Sequence, residues 1–501
     1  MTAHTESTAD AESTANADTY GGRSTYGAEN TYGTEDTEGR WDPGAVVAEV
    51  VARVRERQLL PAAERQEGDR DGGEPEGPNS PGLGGAWTGK ALLLSEVSTA
   101  PGADPALRRA AHAALARAAD SAGPAASAGL TGLYPGLGGL AFAAKHAART
   151  PREYATLRTR LDAALRTEVA ATLDAERARM ADGEPGAPRG RFDVIGGMTG
   201  LGRYFLAEPA DLDTVRDILG YLVALTEPVT VRGEDGAVRR LPGWYSPPWP
   251  VPPGAPPRAS TDPVAREPVL DLGLAHGAAG PLALLSLCRS RGVRVPDQDT
   301  AIRRLADWLL SWRQHEGGSG NGNGDSGGSA PYWPALVTRD QEWAPVRPHL
   351  NRRRATWCYG TPGVARALQL AGTALGEEAW VQSAADGIRA VFRRPDGLQG
   401  VEEPGLCHGL AGVLQITGRM AADLDDPALA ARADELAERV CAAFDPALPY
   451  GFATSFTPYD APSTFLLGPA GIALALHGRL ATAPRPPAPE PLPWDAALLL
   501  A

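Results

Sequence analysis

Cysteine is scarce in this chain: Cys288, Cys358, Cys407 and Cys441 are the four among 501 residues. That is too sparse for a disulfide framework in a chain this long. No apolar run reaches the ~18 residues that a membrane span needs. The N-terminus lacks the basic-then-apolar pattern of a secretory signal. A basic excess is also missing, because the formal net charge is −13, and a nucleic-acid partner would require a basic face. Much of the acidity is local, since residues 1–42 hold nine acids against two bases. Alternating strand-like stretches are few. These absences predict a mostly helical, soluble, cytoplasmic protein with reduced thiols and no integral membrane segment.

What is present divides the chain. Residues 1–43 form an acidic low-complexity tail in which Thr-Tyr-Gly recurs at Thr19, Thr25 and Thr31. Such a polar stretch buries too little apolar surface to offset its ordering entropy, so disorder is expected. Residues 44–82 comprise an amphipathic helix at 44–60 and a Gly/Pro/acid-rich linker. A main domain is expected over 83–482, and a Pro-rich C-terminal tail over 483–501. Within the main domain, prolines at 242–268 exclude a regular helix, and Gly317 to Ser329 reads as a surface loop. Ala/Leu/Arg-rich runs at about 104–122, 150–181, 209–226, 298–315, 375–394 and 425–444 read as helices.

A repeat organises the domain. Gly-x-x-Gly followed by a small or apolar run occurs at Gly136/Gly139, Gly197/Gly200, Gly277/Gly280, Gly360/Gly363, Gly409/Gly412 and Gly468/Gly471. A seventh copy carries Ala86 in place of the first glycine, followed by Gly89. Each motif opens an apolar segment, and each interval holds a more polar amphipathic one. The pattern predicts seven buried helices, each paired with an outer helix, the helix at 44–60 supplying the seventh outer member. Such pairs stack as an open solenoid or close into a ring. Paired glycines at a helix start allow close backbone approach and φ > 0.

The reactive residues share this frame. Counted from the first glycine of each motif, Cys358 and Cys407 stand at −2, His276 and His408 at −1, and Asp193 at −4. If the repeats superpose, all five lie around one mouth of the barrel. Two thiols and an imidazole there form a credible zinc site, with a fourth position open for catalysis. Cys288 and Cys441 fall outside the frame and read as buried small hydrophobes. His112, His146, His315 and His477 read as ordinary surface or core histidines.

WCYG at Trp357–Gly360, CHG at Cys407–Gly409, AHG at Ala275–Gly277 and DVIGGMTG from Asp193 together resemble the lanthionine synthetase C family, over roughly residues 83–480. The resemblance implies an all-α fold, an α/α toroid of seven inner and seven outer helices. It implies one zinc ion bound by Cys358, Cys407 and His408, with active-site roles for His276, Asp193, Arg354 and Tyr359, and Trp357 packed beside them. It implies a cyclase that adds cysteine thiols of a precursor peptide to dehydroalanine or dehydrobutyrine, closing thioether rings. The substrate would be a dehydrated peptide, leader plus core, delivered by a separate dehydratase. Two departures stand out: Ala355-Thr356 where an acidic residue would be expected, and the missing first glycine of the first repeat. Asp193 has a plainer reading as a helix N-cap, Tyr359 as packing, and Arg354 as surface charge within Arg352-Arg353-Arg354. Rival functions are an isoprenyltransferase-like zinc enzyme, whose usual ligands are Asp, Cys and His, a sugar-processing toroid using carboxylates, and a non-catalytic scaffold subunit of a peptide-modification complex.

Overall fold

A computed structural model describes residues 41–59, 80–233, 235–248, 267–315, 330–350, 354–393, 397–398, 401, 403–453, 464–480 and 492–501. The acidic tail, most of the 44–82 linker and the Gly317–Ser329 loop expected from the sequence lie outside these residues, as does much of the Pro-rich stretch.

Helices dominate the described residues, and fourteen of them alternate between two rings. The outer ring comprises α1 (Pro43–Leu59), α3 (Pro105–Asp120), α5 (Ala155–Ala181), α7 (Leu212–Leu225), α9 (Gln298–Ser311), α11 (Glu378–Arg393) and α13 (Pro427–Ala442). The inner ring comprises α2 (Ala86–Val97), α4 (Leu137–Ala147), α6 (Met198–Phe205), α8 (Ala279–Ser290), α10 (Thr361–Leu375), α12 (Leu410–Leu424) and α14 (Pro469–Leu480). Each inner helix packs on the next, α14 packs on α2, and α1 covers α14, so the array closes as an α/α toroid. Closure, which the repeat alone left open against a solenoid, follows from that last contact.

Local chemistry sets the helix ends. Asp104 and Asp426 cap α3 and α13 through their carboxylates, each followed by proline in the first turn. The missing proline N–H is no loss there, because the first turn has no internal partner for it. Gly376, at φ +71°, ends α10 in the left-handed conformation that glycine adopts without a Cβ penalty. The outer helices bury one stripe, as α1 does through Val46, Val47, Val50, Val51 and Val54. The inner helices are buried nearly all round: every residue of α4 is buried.

The glycine motif has a geometric cause. Before four of the inner helices the chain curls back, and the carbonyl at −6 accepts the N–H of the residue after the first glycine: Leu137 to Leu130, Ala278 to Asp271, Thr361 to Arg354 and Leu410 to Glu403. A Cβ on the first glycine would collide with that same carbonyl at Gly136, Gly277, Gly360 and Gly409. The second glycine faces the carbonyl at −3, contributed by Leu133, Val194, Leu274, Trp357, Leu406 or Phe465. All six of these side chains are buried in the core. Close approach is therefore the general requirement. The expectation of φ > 0 is met among the first glycines only by Gly360, at φ +89°. In the first repeat the helix begins after Gly85, whose Cβ would strike the Ser80 carbonyl. The leading glycine is thus displaced by one residue rather than lost.

Among the described residues, three small antiparallel sheets occupy the two longest intervals: β1 (Val229–Arg232) with β2 (Val238–Leu241), β3 (Val269–Asp271) with β6 (Leu336–Thr338), and β4 (Gln314–His315) with β5 (Pro331–Tyr332). The β3–β6 pairing joins one interval to the other. Trp343, donating to the Arg240 carbonyl, and the edge-on Trp244–Trp308 pair reinforce this join.

The last segment fills the ring. Residues 494–500 are almost wholly buried. Tyr134 and Trp357 donate to the carbonyls of Ala497 and Leu498, Arg366 to that of Leu500, and Arg203 to that of Ala501. Asp495, fully buried, receives both Nε and Nη2 of Arg419. The Pro-rich tail expected from 483 onward therefore ends in a plug at the centre of the toroid.

Candidate metal centre and active site

The loops preceding the inner helices are stitched together through one position. The N–H at −2 donates to the carbonyl at −2 of the following repeat for Tyr134 to Ile195, Ala275 to Cys358, Cys358 to Cys407 and Cys407 to Leu466. Cys358 and Cys407 both occupy this belt, which makes them neighbours although 49 residues separate them. The sulfur atoms of Cys358 and Cys407 and a ring nitrogen of His408 lie within 4.8 Å of one another. Cys358 Sγ stands 3.0 Å from His408 Nδ1.

These residues fit a zinc ion on the chemistry and spacing of their donors. Zinc prefers thiolate and imidazole, and its bond lengths put tetrahedral donors about 3.5–3.8 Å apart; donors that lie within 4.8 Å of one another, with Cys358 and His408 at 3.0 Å, reach that spacing by small shifts. Both cysteines are buried and His408 is partly exposed, leaving one side open. Burial pushes the Cys358 thiol up, but hydrogen bonds with Cys407, His408 and Thr356 hold it well below the ordinary thiol range. Cys407 is pushed up instead, first by its hydrogen bond with Cys358 and then by burial.

Thr356, a departure from the expected pattern, has a clear role. Its hydroxyl accepts the Tyr359 N–H and has both the Tyr359 carbonyl, at 2.9 Å, and Cys358 Sγ, at 3.4 Å, within reach of its single proton. It folds the loop around the sulfur. Trp357 is fully buried, with its indole N–H held by the plug.

A second cluster shares the mouth. His276 Nδ1 lies 2.6 Å from Asp193 Oδ2. The other oxygen of Asp193 accepts the N–H groups of Gly196 and Gly197 at the start of α6. Bracing the turn that leads into α6 and holding the histidine are therefore done by the two oxygens of one carboxylate, while the N-cap itself is Gly197, without a side-chain bond. Burial lowers the His276 pKa, but the hydrogen bond and charge of Asp193 outweigh it, and the net shift is upward. The His276 and Tyr359 rings lie 6.4 Å apart, and the Arg354 guanidinium sits 5.9 Å from the Tyr359 ring. Arg354 also acts electrostatically on His408. All seven residues expected from the sequence thus converge on one mouth.

Sequence reasoning passed over Asp271 and Glu403. Asp271 is buried, accepts the Gly273 N–H and lies 3.6 Å from Arg189 Nη1, and burial pushes its carboxyl up. Glu403 bears electrostatically on Cys407 and His408. Both stand at −6, the position of Arg354 in its own repeat, and that shared register is the signal that could have found them. The other cysteines behave as expected: Cys288 and Cys441 are buried in the core. His146 is buried and bonded to the Leu492 carbonyl, and His112 stacks on Tyr154.

A closed α/α toroid with a thiol–imidazole cluster that could hold a metal ion, and an adjacent carboxylate–histidine pair at the same mouth, defines a class of helical barrel. Within it, this chain belongs to the lanthionine synthetase C-like family, whose model matches residues 77–486. Among solved structures, 13 chains match. One, described as nisin cyclase, has a TM-score of 0.64 at 18% identity and covers 91% of this chain and 96% of its own. That likeness bears on the fold. No curated protein matches the chain.

Proposed function

We propose that this protein is a zinc-dependent lanthipeptide cyclase, adding cysteine thiols of a precursor peptide to dehydroalanine or dehydrobutyrine to form lanthionine or methyllanthionine. The observation that carries the reading is the convergence of the Cys358–Cys407–His408 cluster and the Asp193–His276 pair on one mouth. Zinc held by Cys358, Cys407 and His408 would supply deprotonation of a substrate thiol at neutral pH.

In the addition, the S–Cβ bond forms as the Cα=Cβ π bond breaks. Negative charge passes to the adjacent amide oxygen, and a proton then reaches Cα. The product is an isomer of the dehydrated peptide, so nothing is lost or gained. Arg354, always charged, is placed to stabilise the oxyanion. His276, held protonated to a higher pH by Asp193, is the group to deliver the proton to Cα. Asp193 fixes its Nδ1, which leaves Nε2 to face the peptide. Tyr359 lines the same mouth. The dehydrated peptide would come from a separate dehydratase.

The decisive experiment incubates the purified, zinc-loaded protein with a dehydrated, cysteine-containing peptide. Because cyclisation leaves the mass unchanged, rings are counted by the loss of thiols that a maleimide can alkylate. Ring formation by the wild type, absent in Cys358→Ala and Cys407→Ala with about one zinc per chain lost in both, is the expected result. If the zinc-loaded wild type left every thiol alkylatable across a panel of such peptides, the cyclase assignment would fall and a scaffold subunit would take its place.

A further inference from the structure

The mouth has two unlike halves. In each of the seven repeats the residue just before the leading glycine is partly exposed, so this position forms the ring that a substrate meets. His276, Tyr359 and His408 hold it in three consecutive repeats, on the half where the metal cluster and the carboxylate–histidine pair lie. The other half carries Leu467 in the repeat beside that of His408, then Gly84 and Pro135, and Gly196 in the repeat beside that of His276. None of these four has a charge or a side-chain hydrogen-bonding group. Their loops are in contact: the Gly84 N–H donates to the Tyr134 carbonyl, and a Cβ on Gly132 would meet Gly196 Cα at 2.5 Å. Beneath them the floor is solid. The Tyr134 ring lies 6.3 Å from that of Trp357 and 6.4 Å from that of Phe465, and Tyr134 and Trp357 are both tied to the plug. A peptide therefore lies on this surface and does not thread the toroid.

Gly196 is the informative member. Its neighbours Gly197 and Gly200 are required by the fold, because a Cβ on them would come within 2.5 Å and 2.2 Å of backbone atoms. A Cβ on Gly196 would find nothing closer than 3.7 Å, and its φ lies outside the left-handed range. The fold accepts a side chain at Gly196, and its absence leaves open volume beside His276.

We propose that this unreactive half seats the stretch of peptide between the reacting cysteine and the dehydro residue, with Gly196 and Leu467 as specificity-determining positions at its two ends. The inference rests on the cyclase reading and names what the substrate must bring. With the thiol at Cys358, Cys407 and His408 and the α-carbon at His276, both ends of the nascent ring are held on the reactive half. The residues between them turn across the mouth, and the half that faces them offers apolar contact without a charge to pair. A charged residue seated there would lose water and gain no partner. The class selected is a peptide whose ring encloses uncharged residues.

Two reactions of the same zinc-loaded protein separate the loop from the chemistry. One closes a ring in a peptide whose cysteine and dehydroalanine are separated by alanines. The other adds N-acetylcysteine to a dehydroalanine peptide that has no cysteine and so forms no loop. Gly196→Leu is expected to lower the ratio of ring closure to intermolecular addition about 10–100-fold, the scale of a misplaced reacting end. Leu467→Arg tests the other end by a gain. Relative to the alanine peptide, a peptide with glutamate in the loop is expected to close about two- to fivefold faster with this variant than with the wild type, the worth of one exposed ion pair. An unchanged ratio in either variant overturns the proposal, because the intervening residues then arch into solvent. A Gly196→Leu protein that slows both reactions alike also overturns it, because the new side chain then acts on His276. A wild type that closes no ring fails the cyclase reading and this inference with it, whereas rings closed by the wild type with unchanged ratios in the variants fail the seat alone.

Discussion

At the residue scale, the doubled duty of Asp193 makes its variants separable. Asp193→Ala removes both the brace on the turn before α6 and the support of His276, and is expected to cost about 1–3 kcal/mol of stability through buried N–H groups left unpaired. Asp193→Asn keeps an oxygen for the Gly196 and Gly197 N–H groups, so denaturant midpoints should move far less, while the link to His276 is weakened. The pH dependence follows from the sign of the shift. The His276 pKa is raised in the folded protein, so the stabilisation from its pairing is fully present below its unfolded pKa and is lost as pH rises through the folded value. If His276 is the general acid, kcat/KM falls on the alkaline side over that upper range, and Asp193→Asn moves the limb to lower pH. A limb that stays in place in that variant would assign the titration to another group.

At the scale of elements, the repeat separates two kinds of glycine. Gly412 of α12 faces the Leu406 carbonyl and the Trp357 side chain, so Gly412→Ala is expected to cost about 1–3 kcal/mol by overpacking. Because Leu406 precedes Cys407, the same variant should hold zinc more weakly, which a chelator competition would read. Gly220 of α7 is exposed and a Cβ there meets nothing within 4 Å. Gly220→Ala is expected to raise stability by about 0.4–1 kcal/mol. Both changes are measurable by urea unfolding.

Much of this level was legible in the sequence, for a physical reason. An inner helix must be apolar all round and begin where chain crosses chain, so the glycine pair and the apolar run recur together, and positions −1, −2 and −4 follow from the frame. Position −6 was harder to see, because its side chain varies among Leu130, Asp271, Arg354 and Glu403 while its carbonyl does the conserved work. The strands of two to four residues are too short for alternation to show. The plug escaped because a brief apolar stretch after prolines looks the same whether it trails free or meets partners from all round a ring.

At the scale of the molecule, the plug is part of the core and not an appendage. Trp494 packs edge-on against Phe465 and is 3% exposed. Trp494→Ala is expected to cost about 3–5 kcal/mol, lowering the thermal midpoint and loosening Trp357 directly behind Cys358. Zinc affinity unchanged in that variant would show that the mouth is held by the belt of backbone hydrogen bonds alone.

The route by which the chain reaches this state is constrained by the same segment. Arg53 of α1 bonds to the carbonyl of Leu448, 395 residues away, and Tyr134 to that of Ala497, 363 away. Contacts between such distant parts must wait for a large loss of chain entropy before they return any stabilisation, and folding slows as their share grows. The first-made helices therefore spend that interval with apolar faces uncovered, and dilution or a chaperone, more than added metal, should govern how much protein refolds from denaturant.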